Sequence, residues 1–189
     1  MRYAAFLRAV NVAGTQLSMG GLKDMLAALG FENAQTLLQS GNAVFETAAQ
    51  NAVDVETLLE RETERRLKVR TEYFVRNEKE LARIIEQNPF PREAKDDPAR
   101  LVLVFLKSKP NAKSVSDLQS RIKGPETVRA GNRHLYITYP DGQGRSKLTN
   151  AVIEKTLDMR GNGAQLEHGA EDGPSITLRV LRYLRMTTY

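Results

Sequence analysis

Apolar and polar positions along this chain switch between two periods, and the switches mark out the elements. Residues 3–10, YAAFLRAV, form an apolar run broken only by Arg8 and predict a strand. A loop over residues 11–17 follows. Leu22, Met25, Leu26 and Leu29 then recur at i, i+3, i+4 and i+7, so a helix is expected from Ser18, with Gly30 as its stop. Residues 34–40 and 43–47 read as two short strands about Gly41-Asn42, a hairpin signal. Residues 53–68 predict a charged helix with Val55, Leu58 and Leu59 on its apolar side, and residues 71–76 another strand. The order is β-α-β-β-α-β, that of a split βαβ or ferredoxin-like unit.

Asn77 with Glu80 three residues on fits a capping box, and Leu81, Ile84 and Ile85 supply the stripe of the helix behind it. Asn88-Pro-Phe-Pro91 ends that helix. Residues 92–98 are polar, charged and proline-containing, and read as a linker. The second half repeats the order. Residues 101–106, LVLVFL, are apolar without alternation, the pattern of a strand covered on both faces. A helix over 116–123, strands over 127–130 and 134–139, a helix over 146–157 and a last strand over 164–168 follow. Thr36, Gly41-Asn42 and Phe45 are echoed by Thr127, Gly131-Asn132 and Tyr136, one residue shorter, which with the repeated order suggests an internal duplication. Residues 174–186 predict a closing helix with Arg179, Arg182 and Arg185 opposite its apolar side. The expected fold is α+β: two ferredoxin-like subdomains in tandem with a closing C-terminal helix. Residues 1–91 form the first subdomain with its following helix, 92–99 the linker and 100–189 the second.

Composition narrows the chemistry. With no cysteine, disulfides, thiolate nucleophiles and cysteine-bound metals are excluded together. His134 and His168 are the only histidines, so a His-rich metal site within one chain is excluded. No metal and no cofactor are expected. No apolar stretch approaches the roughly 20 residues of a membrane span, and the first eight residues lack a signal-peptide core. A cytoplasmic protein with no membrane partner is expected. The balance of 28 basic to 23 acidic residues, net +5, is a mild excess scattered along the chain, apart from Arg61 to Arg70 and the final helix.

The stretches FLRAVNVAGTQLSMGGLKDMLAALGF, TLLQSGNAVFET, ELARIIEQNPF and LYITYPDGQGRSKLTNAVIEKTL occur in that order over most of the chain. In these the sequence resembles the domain-of-unknown-function family 1697, an uncharacterised bacterial family. The resemblance implies two linked α+β subdomains, the first ferredoxin-like, and implies no activity. The Asn-Trp pair near the C-terminus of such proteins has no counterpart here, where RGNGAQLEHGAEDGPSITL stands and tryptophan is absent.

Two places gather polar chemistry. In a βαββαβ unit the end of the first strand and the hairpin between strands two and three share one edge. Arg8 and Asn11 are thereby expected near Gln39, Ser40 and Asn42, with Arg8 offering a planar fork for phosphate or carboxylate. Asn42 could equally serve the turn, and Gln39 and Ser40 the loop amides. The second place is DGQGRSKLT. It is not a P-loop, since Asp141 and Ser146 stand where the flanking glycines belong. Gly142 and Gly144 allow a tight turn, and Ser146 can cap the next helix. Its free amides with Arg145 and Lys147 then make either an anion seat or simply a well-capped helix start.

A serine nucleophile lacks a base, and RNA-type stacking fails because Phe45 is the only aromatic residue in the third strand. The expected function is binding of an anionic small molecule or a nucleic acid, the small molecule being favoured. The rivals are an enzyme acting on a phosphorylated or acyl substrate without a covalent nucleophile, and a structural or oligomerisation role through an open sheet edge.

Overall fold

The computed structural model describes residues 1–8, 17–37, 42–49, 51–166 and 184–185. The chain is α+β, with helices and two antiparallel sheets. The described residues divide into two compact units, 1–83 and 84–166 with 184–185.

In the first unit β1 (Arg2–Leu7), β2 (Glu32–Leu37), β3 (Asn42–Glu46) and β4 (Tyr73–Asn77) form a sheet in the order β2-β3-β1-β4, every neighbour antiparallel. The third strand lies between the first two, as the element order requires. Helix α1 (Met19–Ala28) starts where Ser18 Oγ accepts the Gly21 N–H at 3.2 Å, and ends at Gly30, whose φ of +73° is the left-handed conformation glycine tolerates. Helix α2 (Ala52–Leu67) is capped by Asn51. Tyr3, Ala5 and Leu7 of β1 join Leu22, Leu26, Phe45 and Leu59 in one core. Phe45 lies fully buried with its ring 4.6 Å from that of Phe31. It is a core residue and offers no ring to a nucleic-acid base.

The outer edge of β4 is closed in an unusual way. Tyr73, Val75 and Asn77 turn their N–H groups away from β1, where a further strand would dock. Glu60 and Glu56, one turn apart on α2, accept from Tyr73 at 3.0 Å and Val75 at 2.8 Å. Glu80 accepts from Asn77 at 2.8 Å. Carboxylates replace the carbonyls of a neighbouring strand, so strand addition finds no donor at these three positions. The Glu56 carboxylate also meets Arg76 at 3.2 Å, both side chains being buried.

The expected capping box is present: Glu80 N–H donates to Asn77 Oδ1 at 2.9 Å while Glu80 returns the bond just described. Helix α3 (Glu78–Glu86) buries Leu81 and Ile84 but leaves Ile85 44% exposed, so the stripe is narrower than expected. The stretch read as a linker forms α4 (Pro91–Asp96) and a 3-10 turn (Pro98–Arg100).

In the second unit β5 (Leu101–Leu106), β6 (Thr127–Ala130), β7 (His134–Thr138), β8 (Gly161–Leu166) and β9 (Leu184–Arg185) run in the order β6-β7-β5-β8-β9, again antiparallel. The first four repeat the order of the first sheet. All six residues of β5 are buried, so both of its faces are covered as its unbroken apolar run predicts. Helices α5 (Ala112–Arg121) and α6 (Asn150–Leu157) give Val115, Leu118, Ile153 and Leu157 to a core with Val102, Val104 and Leu106.

Three boundaries correct the sequence expectations. Helix α5 begins four residues early because Asn111 caps it through the Lys113 N–H at 2.8 Å. Strand β8 begins at Gly161, where a Cβ would come within 3.0 Å of Val104 Cγ1. Leu184 and Arg185 are strand, pairing with Leu166 and Gln165, and so do not belong to a closing helix. The edge of β8 supplies them with ladder partners. The remainder of that expected helix, with Arg179 and Arg182, lies outside the described residues, as does His168.

Candidate functional site

At the end of the first sheet Arg8 continues β1. Its N–H donates to Glu72 O at 3.0 Å, and its guanidinium pairs with the Glu72 carboxylate at 3.0 Å. Thr71 Oγ1 donates to Arg8 O at 2.8 Å. Arg8 is therefore tied to the start of β4. Asn42 is 3% exposed and accepts the Leu7 N–H through Oδ1 at 3.2 Å, which joins the starts and ends of β3 and β1. Its side chain serves the fold. Arg8 and Asn42 do lie at one end of the sheet, as expected; Asn11, Gln39 and Ser40 lie outside the described residues.

The second place is built from Tyr139 onward. Tyr139 is buried, and its hydroxyl donates to Leu148 O at 3.0 Å, pinning both ends of the loop. Gly142 turns the chain at φ +85°, its N–H donating to Tyr139 O at 2.8 Å, and a 3-10 turn (Gln143–Arg145) follows. Helix α6 starts later than expected. Thr149, not Ser146, is its cap, accepting the Val152 N–H at 3.3 Å. Ser146 accepts the Leu148 N–H at 2.9 Å in a local turn, and its hydroxyl is hydrogen-bonded to the Glu126 carboxylate. Glu126 thus holds the position where an anion on Ser146 would sit, so that hydroxyl is not the anion contact.

The cations around this junction are placed differently. Arg145 and Lys147 are exposed on the loop, and Arg121 and Lys123 are exposed on the segment that leads to Glu126. Among the described residues none of the four has an ion-pair partner. The Ser146–Glu126 bond holds the two segments together. Beside them the side-chain oxygens of Gln143 and Asn150 are buried and accept no hydrogen bond among the described residues. Charge follows the same division: residues 84–166 hold 14 Lys and Arg against nine Asp and Glu, whereas residues 1–83 hold 11 of each. Over residues 1–166 the excess of positive charge therefore lies in residues 84–166.

Sequence patterning missed two carboxylates on α2. Glu56 and Glu62 stand at the same helical spacing as Ala52, Val55 and Leu59, and all five are buried. Glu62 Oε2 receives Arg65 Nε and Nη2 at 3.0 and 2.6 Å and Arg66 Nε at 2.8 Å, while Arg61 Nε reaches Oε1 at 3.3 Å. The hydrogen bonds from Arg65 and then Arg66 hold the Glu62 carboxyl down to about 2. Among the described residues no group of three or more His, Asp or Glu side chains is placed to hold a metal ion. No helix among them is long and apolar enough to cross a membrane.

The family model described as "Protein of unknown function (DUF1697)" matches residues 1–136. The chain belongs to DUF1697. In the DUF1697 chain the matched stretch takes in Arg8, Asn42, Glu56, Glu62 and Arg76 and ends inside β7, before the Gly142–Lys147 loop. Among solved structures it is similar to the conserved bacterial protein SP0830 of Streptococcus pneumoniae. The two share 18% identity and a TM-score of 0.66, over 86% of this chain and 92% of that one. At that identity the likeness speaks for the fold. No curated protein matches the chain.

Proposed function

We propose that this DUF1697 protein is a binding module for an anionic ligand, a small molecule or a nucleic acid, built on two ferredoxin-like halves. The repeated orders β2-β3-β1-β4 and β6-β7-β5-β8 support that architecture. The observation that carries the binding reading is the junction held by Ser146 and Glu126, where Arg145, Lys147, Arg121 and Lys123 stand exposed within residues 84–166, a stretch of 14 basic against nine acidic residues. Arg145 supplies a fork for two oxygens of a phosphate or carboxylate, and Lys147 a point charge. Glu126 limits the site, since it repels an anion from Ser146 and directs it to the cationic side chains. Arg8 at the other unit is a weaker contact, because a ligand there must share its guanidinium with Glu72.

Pyrophosphate and ATP are expected to raise the melting temperature of the full chain. Arg145→Ala with Lys147→Ala should weaken either ligand about tenfold or more, ~1.4 kcal/mol. Both residues are exposed, so the unliganded stability should stay within about 0.5 kcal/mol. Melting curves of the wild type that do not move with phosphate, pyrophosphate or ATP would sink the reading.

A further inference from the structure

The Arg61–Arg70 stretch is the other concentration of charge, with five basic residues against Glu62 and Glu64. The structure shows why it is not an ordinary solvated run. Arg61, Arg65 and Arg66 all reach Glu62 through Nε. Holding a carboxylate by that edge of the guanidinium leaves the Nη1 side of each fork for a second oxygen ligand. Glu62 is itself buried against the core face of α2, so it is a fixed anchor. Three cations gathered on one carboxylate leave an excess of two positive charges at a place where their side chains are already ordered. That ordering removes part of the rotamer entropy a long side chain otherwise loses on binding. The arginine side chains are 68%, 60% and 35% exposed, so the surface is open to a partner.

We propose that the C-terminal half of α2 is a docking surface for the phosphate backbone of a nucleic acid, with Arg61, Arg65 and Arg66 as the contacts and Glu62 as their organiser. The row continues past the helix. Lys68 takes the left-handed conformation at φ +57° as the helix ends, and it and Arg70 are exposed. Arg61, Arg65 and Lys68 follow one another at four and three residues, a line of roughly 10 Å along the helix. A nucleic-acid strand, charged at every phosphate, meets that line with more than one charge. An acidic protein partner fits less well. Protein interfaces rest on a buried apolar or aromatic centre, and the large exposed apolar side chains of the described residues are Met1, Val53 and Ile85, none of them in this stretch. Interfaces with nucleic acid are polar and strongly positive.

This surface belongs to the first unit and the loop proposed above to the second, and separate variants test the two readings. The test is fluorescence anisotropy of a labelled oligo-dT of about 20 nucleotides with the full chain, between about 50 and 200 mM salt. Arg61→Ala with Arg65→Ala should weaken binding about tenfold or more. It should also flatten the slope of log K against log salt by about 1.4, two phosphate contacts on a single strand. Arg145→Ala with Lys147→Ala should keep most of the affinity. Circular dichroism should show both variants folded. No binding by the wild type at the lowest salt would overturn the proposal, as would unchanged affinity and slope in the α2 variant. Polyglutamate bound as tightly as the oligonucleotide would overturn it in favour of an acidic protein. Loss confined to the loop variant would overturn it while leaving the loop reading in place.

Discussion

Glu56→Ala is expected to lower the stability of the first unit by about 3–5 kcal/mol, the usual cost of breaking a buried ion pair from one side. Arg76 is 1% exposed and Glu56 2%, and their contact is 3.2 Å. The same carboxylate oxygen accepts the Val75 N–H, so the substitution removes an acceptor from a buried amide as well as a counter-charge from a buried guanidinium. Both losses act on β4, an edge strand whose outer side depends on α2 carboxylates. Replacing both partners, Glu56→Gln with Arg76→Met, should recover part of the loss, because it removes the buried guanidinium together with the carboxylate and keeps an acceptor near Val75. Urea unfolding followed by circular dichroism reads the difference. A loss below about 1 kcal/mol for Glu56→Ala would show that the pair is not the tie described here.

Phe45→Ala is expected to cost about 3–5 kcal/mol, in the range for emptying a large aromatic from a packed core. The ring is fully buried and stacked 4.6 Å from Phe31 and 6.2 Å from Tyr3, so no single neighbour can move to fill the space. Phe45→Leu should cost clearly less, since it keeps most of the buried apolar area. The same urea measurement applies, and near-equal costs for Ala and Leu would contradict the packing described.

Local signals in the sequence were legible where short-range chemistry decides the structure. The Asn77–Glu80 capping box, the stop at Gly30 and the unbroken strand over residues 101–106 all appear as read. Long-range pairing was not legible. Glu56 and Glu62 look like surface charges on a charged helix; only their spacing with Ala52, Val55 and Leu59 marks them as inward-facing. Their partners are an arginine 20 residues away and a cluster within one turn. Ser146 has the composition of a helix cap, yet Glu126 and the Leu148 amide claim its hydroxyl and Thr149 takes the role. Asn42 reads as a turn residue and is a buried bond to Leu7. Leu184 and Arg185 follow an apolar periodicity suited to a helix, but the free edge of β8 gives their backbone a partner that periodicity does not encode. In the candidate site the loop with its two cations was visible; the tie from Glu126, on the segment that follows Arg121 and Lys123, was not, because that hydrogen bond spans 20 residues.

The most direct measurement of the binding claim is an amide NMR titration of the full chain with pyrophosphate. Saturable shifts are expected, concentrated at residues 121–126 and 142–147. Amides there that stay in place at millimolar pyrophosphate, or shifts confined to other parts of the chain, would contradict it.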